Sequence, residues 1–590
     1  MRQTDIVFKT DPGLAQGSQD ETILGFAQEE LTKMLSVLMN DHARQISIVL
    51  ARSQKALRFD GYHIVCEPHM LRIEALTARG ILHGSYEALR RLGCDFIFPG
   101  EKRQNIPQHI YESLPAFETR QEPWLEYRGL CLYNTKKETL AETRDAIDWM
   151  AKNGFNFLLT SIHRLDDSGE GDHAILWDEI GTKLLPEIQK RGIVLDMSEH
   201  STDYYFPKEE LFRKHPEWFA LVGGKRCPGQ ICYSNAEAVE AYGDSLAAFV
   251  KGKEEFRFFG IWPLDGGGYC ECSACRDPLT IYRANKRIAE KIAAVRPDLT
   301  VEHLAYTPQS FGRPNEAVPK NMSVLVCSVR DKIAYEWARC TKDSKGAFYF
   351  DYNTGDHYRW RTLPWLNPYY CREMVNTMVA YGYRGVVSLY LPVNCWWQAS
   401  INYWYLRHFY YEPTADVREL TDELAERLFG AQEARRMAGL LMRVYNELQA
   451  PEIWSRDPQM AEGFREHIVD RVRELDAAHR EYYERVLNEI EQELKGLAAG
   501  AKSAGNSNGQ HLLDYLKLQH LYYVLLDQFD ADADDPAQAE AYFEELARLE
   551  QNEDDPFISE KYARWRIAGR DSILRPDQEN AFQAAAEEAF

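Results

Sequence analysis

The 590-residue chain is poor in cysteine, in long apolar runs and in basic charge. Its 12 cysteines are too few for a disulfide scaffold in a chain of this length. No apolar stretch approaches the roughly 20 residues that a membrane-spanning helix needs, and the N-terminus carries no apolar signal segment. Acidic residues (91) outnumber basic ones (69), and the net charge of −22 repels nucleic acid and anionic lipid. We therefore expect a cytoplasmic protein without a nucleic-acid or membrane partner.

Alternating apolar and amphipathic segments divide the chain into three regions. Residues 1–120 mix short β-like runs with helical spacing, which predicts a small α/β domain. Residues 121–410 show regular strand-then-helix alternation, typical of parallel βα units. Residues 411–590 are rich in Ala, Glu, Arg and Leu at helical spacing, which predicts an all-α domain with a structural role or a homodimer contact.

Eight strands are predicted in the central region, which suits a closed (β/α)8 barrel of about 250 residues. A doubly wound open sheet is the alternative, but no Gly-x-Gly-x-x-Gly follows the first strand, which argues against its dinucleotide-binding form. The fold class is therefore α/β, with a central barrel between an N-terminal α/β domain and a C-terminal helical domain. The predicted strands are Tyr127–Tyr133, Phe155–Ser161, Ile193–Glu199, Phe258–Leu264, Thr300–Tyr306, Met322–Cys327, Ala347–Tyr352 and Gly385–Tyr390.

Carboxylates at the ends of these strands are the candidate catalytic groups, because barrels carry reacting groups at the carboxyl ends of their strands. Asp265 is the sharpest candidate, since an apolar strand leads to it and three glycines after it let the backbone approach a ligand. Glycosidic cleavage uses two carboxyl groups, one to protonate the leaving oxygen and one to attack or to activate water. We assign the protonating role to Asp265, and Asp351 and Glu199 compete for the second role.

The same strand ends collect aromatic, histidine, amide and guanidinium side chains, the inventory of a carbohydrate site. Aromatic rings are expected to stack on sugar rings, the other groups to bind hydroxyls or a substrate carboxylate. The expected substrate-binding residues are His163, His200, Trp262, Tyr306, Arg330, Asn353, Trp396 and Trp397.

Three cysteines, Cys270, Cys272 and Cys275, form a tight group after the three glycines. Their spacing is close to that of metal ligands, and thiolates favour tetrahedral zinc. A closed sulfur-rich site would be structural, with Cys227, Cys232 or a histidine as its fourth ligand. A disulfide and thiols without metal are the alternatives, and no cofactor is expected for catalysis.

The segment from Trp262 to Cys275, Trp-Pro-Leu-Asp-Gly-Gly-Gly-Tyr-Cys-Glu-Cys-Ser-Ala-Cys, resembles the signature of the family called domain of unknown function 4838. Residues 230–235 and 285–290 are similar to the same family in place and order. That family is related to the family 67 α-glucuronidases and includes the family 163 endo-acting β-N-acetylglucosaminidases. The resemblance implies a three-domain glycoside hydrolase whose site lies in the barrel mouth and takes an oligosaccharide of the uronic-acid or N-acetylhexosamine type.

The chain departs from its relatives at the candidate acids. The α-glucuronidases have Glu at strand four, where this chain has Asp265, and Asp351 stands where the largest clan of barrel glycosidases places a Glu nucleophile. Two other classes stay open, a non-catalytic carbohydrate-binding protein and a metal-dependent barrel hydrolase. Histidines near strand ends (His163, His200, His303 and His357) suggest the latter, although the His-x-His that this class has after strand one is missing.

Overall fold

The computed structural model describes residues 6–40, 45–132, 140–161, 163–164, 175–200, 202–265, 267–307, 309–312, 316–327, 331–352, 354, 368–389 and 396–443, with single positions between 485 and 496. Most of the predicted C-terminal domain, including its expected homodimer contact, lies outside these residues. Within them, no helix combines the length and apolar character needed to cross a membrane.

The N-terminal region is a five-stranded sheet with two helices packed against it. Its strands are β1 (Ile6–Thr10), β2 (Ile46–Arg52), β3 (Tyr62–Glu67), β4 (Met70–Ala75) and β5 (Phe117–Gln121), and its helices are α1 (Ser18–Leu38) and α2 (Ala78–Arg91). The order across the sheet is β1-β2-β4-β3-β5. Strand β5 completes the sheet by pairing antiparallel with β3.

The central region forms a closed barrel of parallel strands, which confirms the predicted fold. The remaining strands are β6 (Tyr127–Leu132), β7 (Phe157–Thr160), β8 (His163–Arg164), β9 (Ile175–Leu176), β10 (Val194–Met197), β11 (Phe219–Val222), β12 (Lys225–Ile231), β13 (Phe258–Ile261), β14 (Thr300–Ala305), β15 (Met322–Val326), β16 (Ala347–Asp351) and β17 (Gly385–Leu389). The barrel order is β10-β13-β14-β15-β16-β17-β6-β7, and β8–β9 and β11–β12 are two separate hairpins. Each of the eight predicted strands contains one of these barrel strands.

Helices surround the barrel and continue past it into the C-terminal region. They are α3 (Leu140–Lys152), α4 (Trp177–Lys190), α5 (Thr202–Tyr205), α6 (Lys208–Lys214), α7 (Ala236–Val250), α8 (Thr280–Val295), α9 (Asp331–Cys340), α10 (Pro368–Tyr381), α11 (Trp396–Tyr411), α12 (Val417–Phe429) and α13 (Ala434–Arg443). Helix α12 begins at Val417 because Asp416 caps its first turn by accepting from two backbone N–H groups.

Four aromatic rings close the amino end of the barrel. Tyr127, Phe157, Phe258 and Phe348 point inward near the start of their strands, and their ring centroids lie 5.1–5.5 Å apart. The interior is therefore a packed core at this end, and a ligand site is left to the carboxyl end of the strands.

A buried ion pair joins the N-terminal domain to the barrel. Asp60 accepts from Arg128 of β6 at 2.7 Å and from Arg79 at 3.0 Å. Burial alone would raise the pKa of Asp60, but the two guanidinium groups hold it well below its usual range. Arg128 is fully buried on the outer face of the barrel wall, so its guanidinium group serves this ion pair.

Candidate active site

The mouth of the barrel carries an aromatic wall built from three of the predicted substrate-binding residues. Trp262 follows β13, faces the barrel interior and is almost completely buried. The ring of His200 lies 5.2 Å from that of Trp262 and 6.1 Å from that of Tyr306, measured between centroids. The Nδ1 of His200 donates to the carbonyl oxygen of Pro263 at 2.5 Å, which fixes the ring. The three rings form one aromatic cluster, in which Trp262 is buried and His200 and Tyr306 are half-buried.

Asp265 lies at the rim of this wall with its side chain exposed. Gln230 of β12 donates through Nε2 to the carbonyl oxygens of Leu264 at 2.5 Å and Gly267 at 3.1 Å. Gly267 has a φ of 101°, which side-chain-bearing residues rarely adopt, so the turn requires glycine there. The backbone on both sides of Asp265 is therefore held in place while its carboxylate stays accessible.

Two fully buried carboxyl groups lie inside the barrel beneath the aromatic wall. Asp196 is on β10 and Glu302 is on β14, and β13 runs between these strands. The indole Nε1 of Trp262 donates to Glu302 Oε1 at 3.3 Å, and the hydroxyl of Ser198 donates to Asp196. The strand between them carries Gly260 at this level, where an added Cβ would come within 2.5 Å of the indole nitrogen. The missing side chain at Gly260 therefore makes the room in which the pair and the indole meet.

Burial sets the protonation of this carboxyl pair. It raises the pKa of Asp196 to about 7, against the opposing effect of the hydrogen bond from Ser198. Burial and then the negative charge of Asp196 raise the pKa of Glu302 well above its ordinary value. Within the described contacts, one oxygen of each carboxyl group is buried without a hydrogen-bond partner. Burial therefore favours the protonated form of both carboxyl groups, and Asp196 titrates near neutral pH.

Glu302 and Asp265 share an electrostatic neighbour. Cys327, just after β15, packs on the interior cluster of the barrel. Burial raises the pKa of its thiol, and the charges of Glu302 and Asp265 act in the same direction. Asp265 at the rim and Glu302 below it therefore both lie on the side of the barrel that Cys327 occupies.

Asp351 does not line the mouth, which corrects the prediction made from its place at the end of strand seven. In β16 the inward positions are Phe348 and Phe350, so Asp351 points out toward the helices. Its carboxylate accepts from Tyr370 at 2.9 Å and from Ser388 at 2.8 Å, and it is fully buried. These contacts give Asp351 a role in joining the barrel wall to α10.

The other predicted residues are placed only in part. Glu199 is half-buried just after β10, and the contacts of the described residues do not join it to Asp265. His303 points outward from β14, where its ring nitrogens contact Asn285 and the carbonyl oxygen of Ser310. Arg330 and Asn353 lie outside the described residues, and of His163, Trp396 and Trp397 only the backbone is described.

The cysteine group is assembled in space as a set of four. Cys270, Cys272 and Cys275 meet Cys232, and the four sulfur atoms all lie within 4.8 Å of one another. The sequence left Cys227, Cys232 or a histidine as the fourth ligand, and in the structure Cys232 joins the cluster. The Sγ of Cys227 instead contacts the carbonyl oxygen of Lys225. Among the described residues this is the one cluster of three or more His, Cys or carboxylate ligands close enough to share an ion.

The chain has the fold of several barrel glycoside hydrolases. It is similar to a family GH115 4-O-methyl-α-glucuronidase with specificity for decorated arabinogalactans, with a TM-score of 0.62 and 12% identity over 95% of this chain and 79% of that one. It is also similar to a GH138 enzyme targeting pectin rhamnogalacturonan II, with a TM-score of 0.52 and 12% identity over 93% and 92% of the two chains. A β-N-acetylhexosaminidase from Bacteroides fragilis NCTC 9343 gives a TM-score of 0.50 and 11% identity over 73% and 92%.

The family of the chain is identified by a sequence match to a family model that covers the barrel. Residues 95–441 match the family described as Domain of unknown function (DUF4838), and the chain belongs to this family, as its signature predicted. No curated protein matches the sequence.

Proposed function

We propose that this protein is a glycoside hydrolase that cleaves a glycosidic bond of an oligosaccharide in the barrel mouth. The observation that carries the proposal is the set of carboxyl groups there, with Asp265 exposed at the rim and Glu302 and Asp196 buried below it. Burying two carboxyl groups side by side opposes folding, and such arrangements concentrate at functional sites. Glycosidic cleavage uses two carboxyl groups, one of them protonated, and burial favours the protonated form of Glu302 and Asp196 here.

Glu302 has the properties of the general acid. Burial and the charge of Asp196 raise the pKa of Glu302 well above its ordinary value, which favours the protonated form that gives a proton to the leaving oxygen. Asp265 then attacks the anomeric carbon or activates a water, which exchanges the role that the sequence suggested for it. Since Glu302 lies beneath the indole of Trp262, proton transfer requires this ring to shift when a sugar binds.

The proposed substrates carry a uronic acid or an N-acetylhexosamine. The family signature suggested both types, and the structural relatives include a 4-O-methyl-α-glucuronidase and a β-N-acetylhexosaminidase. A first screen therefore uses aryl glycosides of glucuronic acid and of N-acetylglucosamine in both anomeric forms, followed by longer glycans for an endo-acting enzyme.

The dependence of the rate on the leaving group tests the roles. Glu302→Gln is expected to lower kcat/KM on phenyl glycosides by about a hundredfold or more, but much less on dinitrophenyl glycosides, whose leaving groups need no proton. Asp265→Asn should lower kcat/KM on both. Asp277→Asn, which changes an exposed acid farther along the same loop, is the matched control and should leave both rates unchanged.

Other outcomes are equally informative. The reverse pattern for the two variants would return the acid role to Asp265. Turnover that survives both substitutions would refute the proposed chemistry. Quenching of tryptophan fluorescence by sugars, without product from any aryl glycoside or longer glycan, would favour the carbohydrate-binding alternative.

A further inference from the structure

The four-cysteine cluster has the dimensions of a single-ion site. The Sγ of Cys232 lies 3.6 Å from that of Cys270 and 3.9 Å from those of Cys272 and Cys275. A tetrahedron of sulfur ligands at about 2.3 Å from a zinc ion has edges of about 3.8 Å. A disulfide would instead bring two sulfur atoms to about 2 Å. We propose that Cys232, Cys270, Cys272 and Cys275 bind one structural Zn²⁺ ion.

The surroundings of the cluster suit four thiolates on a divalent cation. The backbone N–H of Leu221 donates to Cys270 Sγ at 3.3 Å, and the guanidinium of Arg226 lies 4.0 Å from the same atom. The hydroxyl of Ser234 lies 3.3 Å from the sulfur atoms of Cys232, Cys272 and Cys275. Four thiolates and one Zn²⁺ carry two net negative charges, which these donors and the arginine offset. All four tetrahedral positions are filled by the protein, so the ion has no open position for chemistry.

The ion would tie the hairpin β11–β12 to the loop after β13. Cys232 directly follows β12, and the other three ligands come from the loop 262–279 after β13, which also carries Asp265. Gln230, two residues before Cys232, is the residue that holds the backbone on both sides of Asp265. Zinc therefore anchors the segment that positions Asp265, and this consequence for activity rests on the proposed function, whereas zinc binding does not.

Metal content tests the site directly. The full chain, freed of any histidine tag and purified with a reductant, is analysed by inductively coupled plasma mass spectrometry as wild type, Cys232→Ser and Cys227→Ser. Wild type and Cys227→Ser are expected to hold about one zinc per chain, and Cys232→Ser to lose at least about nine tenths of it. Cys227 is a matched control because it is on the same hairpin and outside the cluster.

A second measurement uses the wild type alone and does not depend on the folding of a variant. Titration with an organomercurial should release one zinc per chain, seen with a chromogenic chelator, and exchange for Co²⁺ should give thiolate-to-metal charge-transfer and tetrahedral d–d absorption bands. A wild type that binds neither zinc nor Co²⁺, full zinc content in Cys232→Ser, or iron in place of zinc would overturn the proposal. Zinc at full content in a protein that hydrolyses no glycan would refute the proposed function and leave the metal site standing.

Discussion

Replacing Asp196 by Asn should remove a pH-dependent loss of stability that is built into the barrel. The pKa of Asp196 is about 7 in the fold, against about 3.9 in an unfolded chain. Because the folded pKa is raised, the folded state binds more protons between these two values, and stability falls as the pH rises through them. Three pKa units at about 1.4 kcal/mol each make a loss of about 4 kcal/mol between roughly pH 4 and pH 7.

The asparagine side chain closely resembles the protonated, uncharged side chain of Asp196. Asparagine has nearly the same volume as aspartic acid, and its Oδ1 can still accept from Ser198. Any loss from the added amide N–H groups is the same at every pH, so it cancels when the two proteins are compared across pH. Asp196→Asn should therefore gain stability relative to wild type as the pH rises and level off above about pH 7.

Urea unfolding followed by tryptophan fluorescence measures this difference. From about pH 5.5 to about pH 8, the free energy of unfolding of Asp196→Asn minus that of wild type should increase by about 2 kcal/mol. Asp277 is the control, because hydrogen bonds from the backbone of Leu279 and from Arg283 lower its pKa and keep it ionised over this range, so Asp277→Asn should give a difference that does not change with pH. A flat difference for Asp196→Asn would refute the argument that burial keeps this carboxyl group protonated.

Three further substitutions test the framework of the site. Asp60→Asn leaves the charge of Arg128 buried without its partner and should lower stability by about 3–5 kcal/mol; a melting temperature within a degree of wild type would contradict this. Gln230→Ala should lower kcat/KM about tenfold or more by releasing the backbone around Asp265, with zinc content unchanged, and an unchanged rate would remove Gln230 from the positioning role. Gly260→Ala places a Cβ within 2.5 Å of an indole nitrogen and should cost about 1–3 kcal/mol; urea unfolding at neutral pH checks it, and equal stability would show that the indole moves freely.

The barrel was predictable because its signal is local. Each strand is a short apolar run, and most of these runs are followed by a helix whose spacing buries one face, so all eight strands were recognised from the sequence. Strand β5 has only a weak signal in the sequence. Its residues, Phe-Glu-Thr-Arg-Gln, are half exposed because they form an edge of the N-terminal sheet, so they show little apolar pattern. The sequence narrowed the fourth ligand of the cysteine cluster to Cys227, Cys232 or a histidine. The choice of Cys232 depended on how the hairpin β11–β12 folds back onto the loop after β13.

The candidate site was harder to predict than the fold. The position of a residue along a strand indicates how near it lies to the mouth, whereas the alternation of inward and outward side chains, its parity, decides which way it points. Asp351 and Trp262 both stand at the ends of strands, and both were expected in the mouth. Trp262 shares the inward parity of Phe258, whereas Asp351 follows inward Phe350 and so points out. Sequence position alone could not separate these cases until the register of the strands was known.

The direction and the hydrogen bonds of a carboxyl group in a barrel strand together distinguish a structural residue from a candidate catalytic one. Asp351 points out and is satisfied by hydroxyl donors from α10 and β17. Asp196 and Glu302 point in, and within the described contacts each keeps a buried oxygen without a donor. The inward parity of Glu302 is readable from Thr-Val-Glu-His-Leu-Ala-Tyr, where it alternates with Leu304 and Tyr306, but a single carboxyl group in an apolar strand resembles a core position. Two buried acids that each keep one oxygen without a donor among the described contacts oppose folding by several kcal/mol, and this cost supports the proposal that the chemistry takes place beneath Trp262.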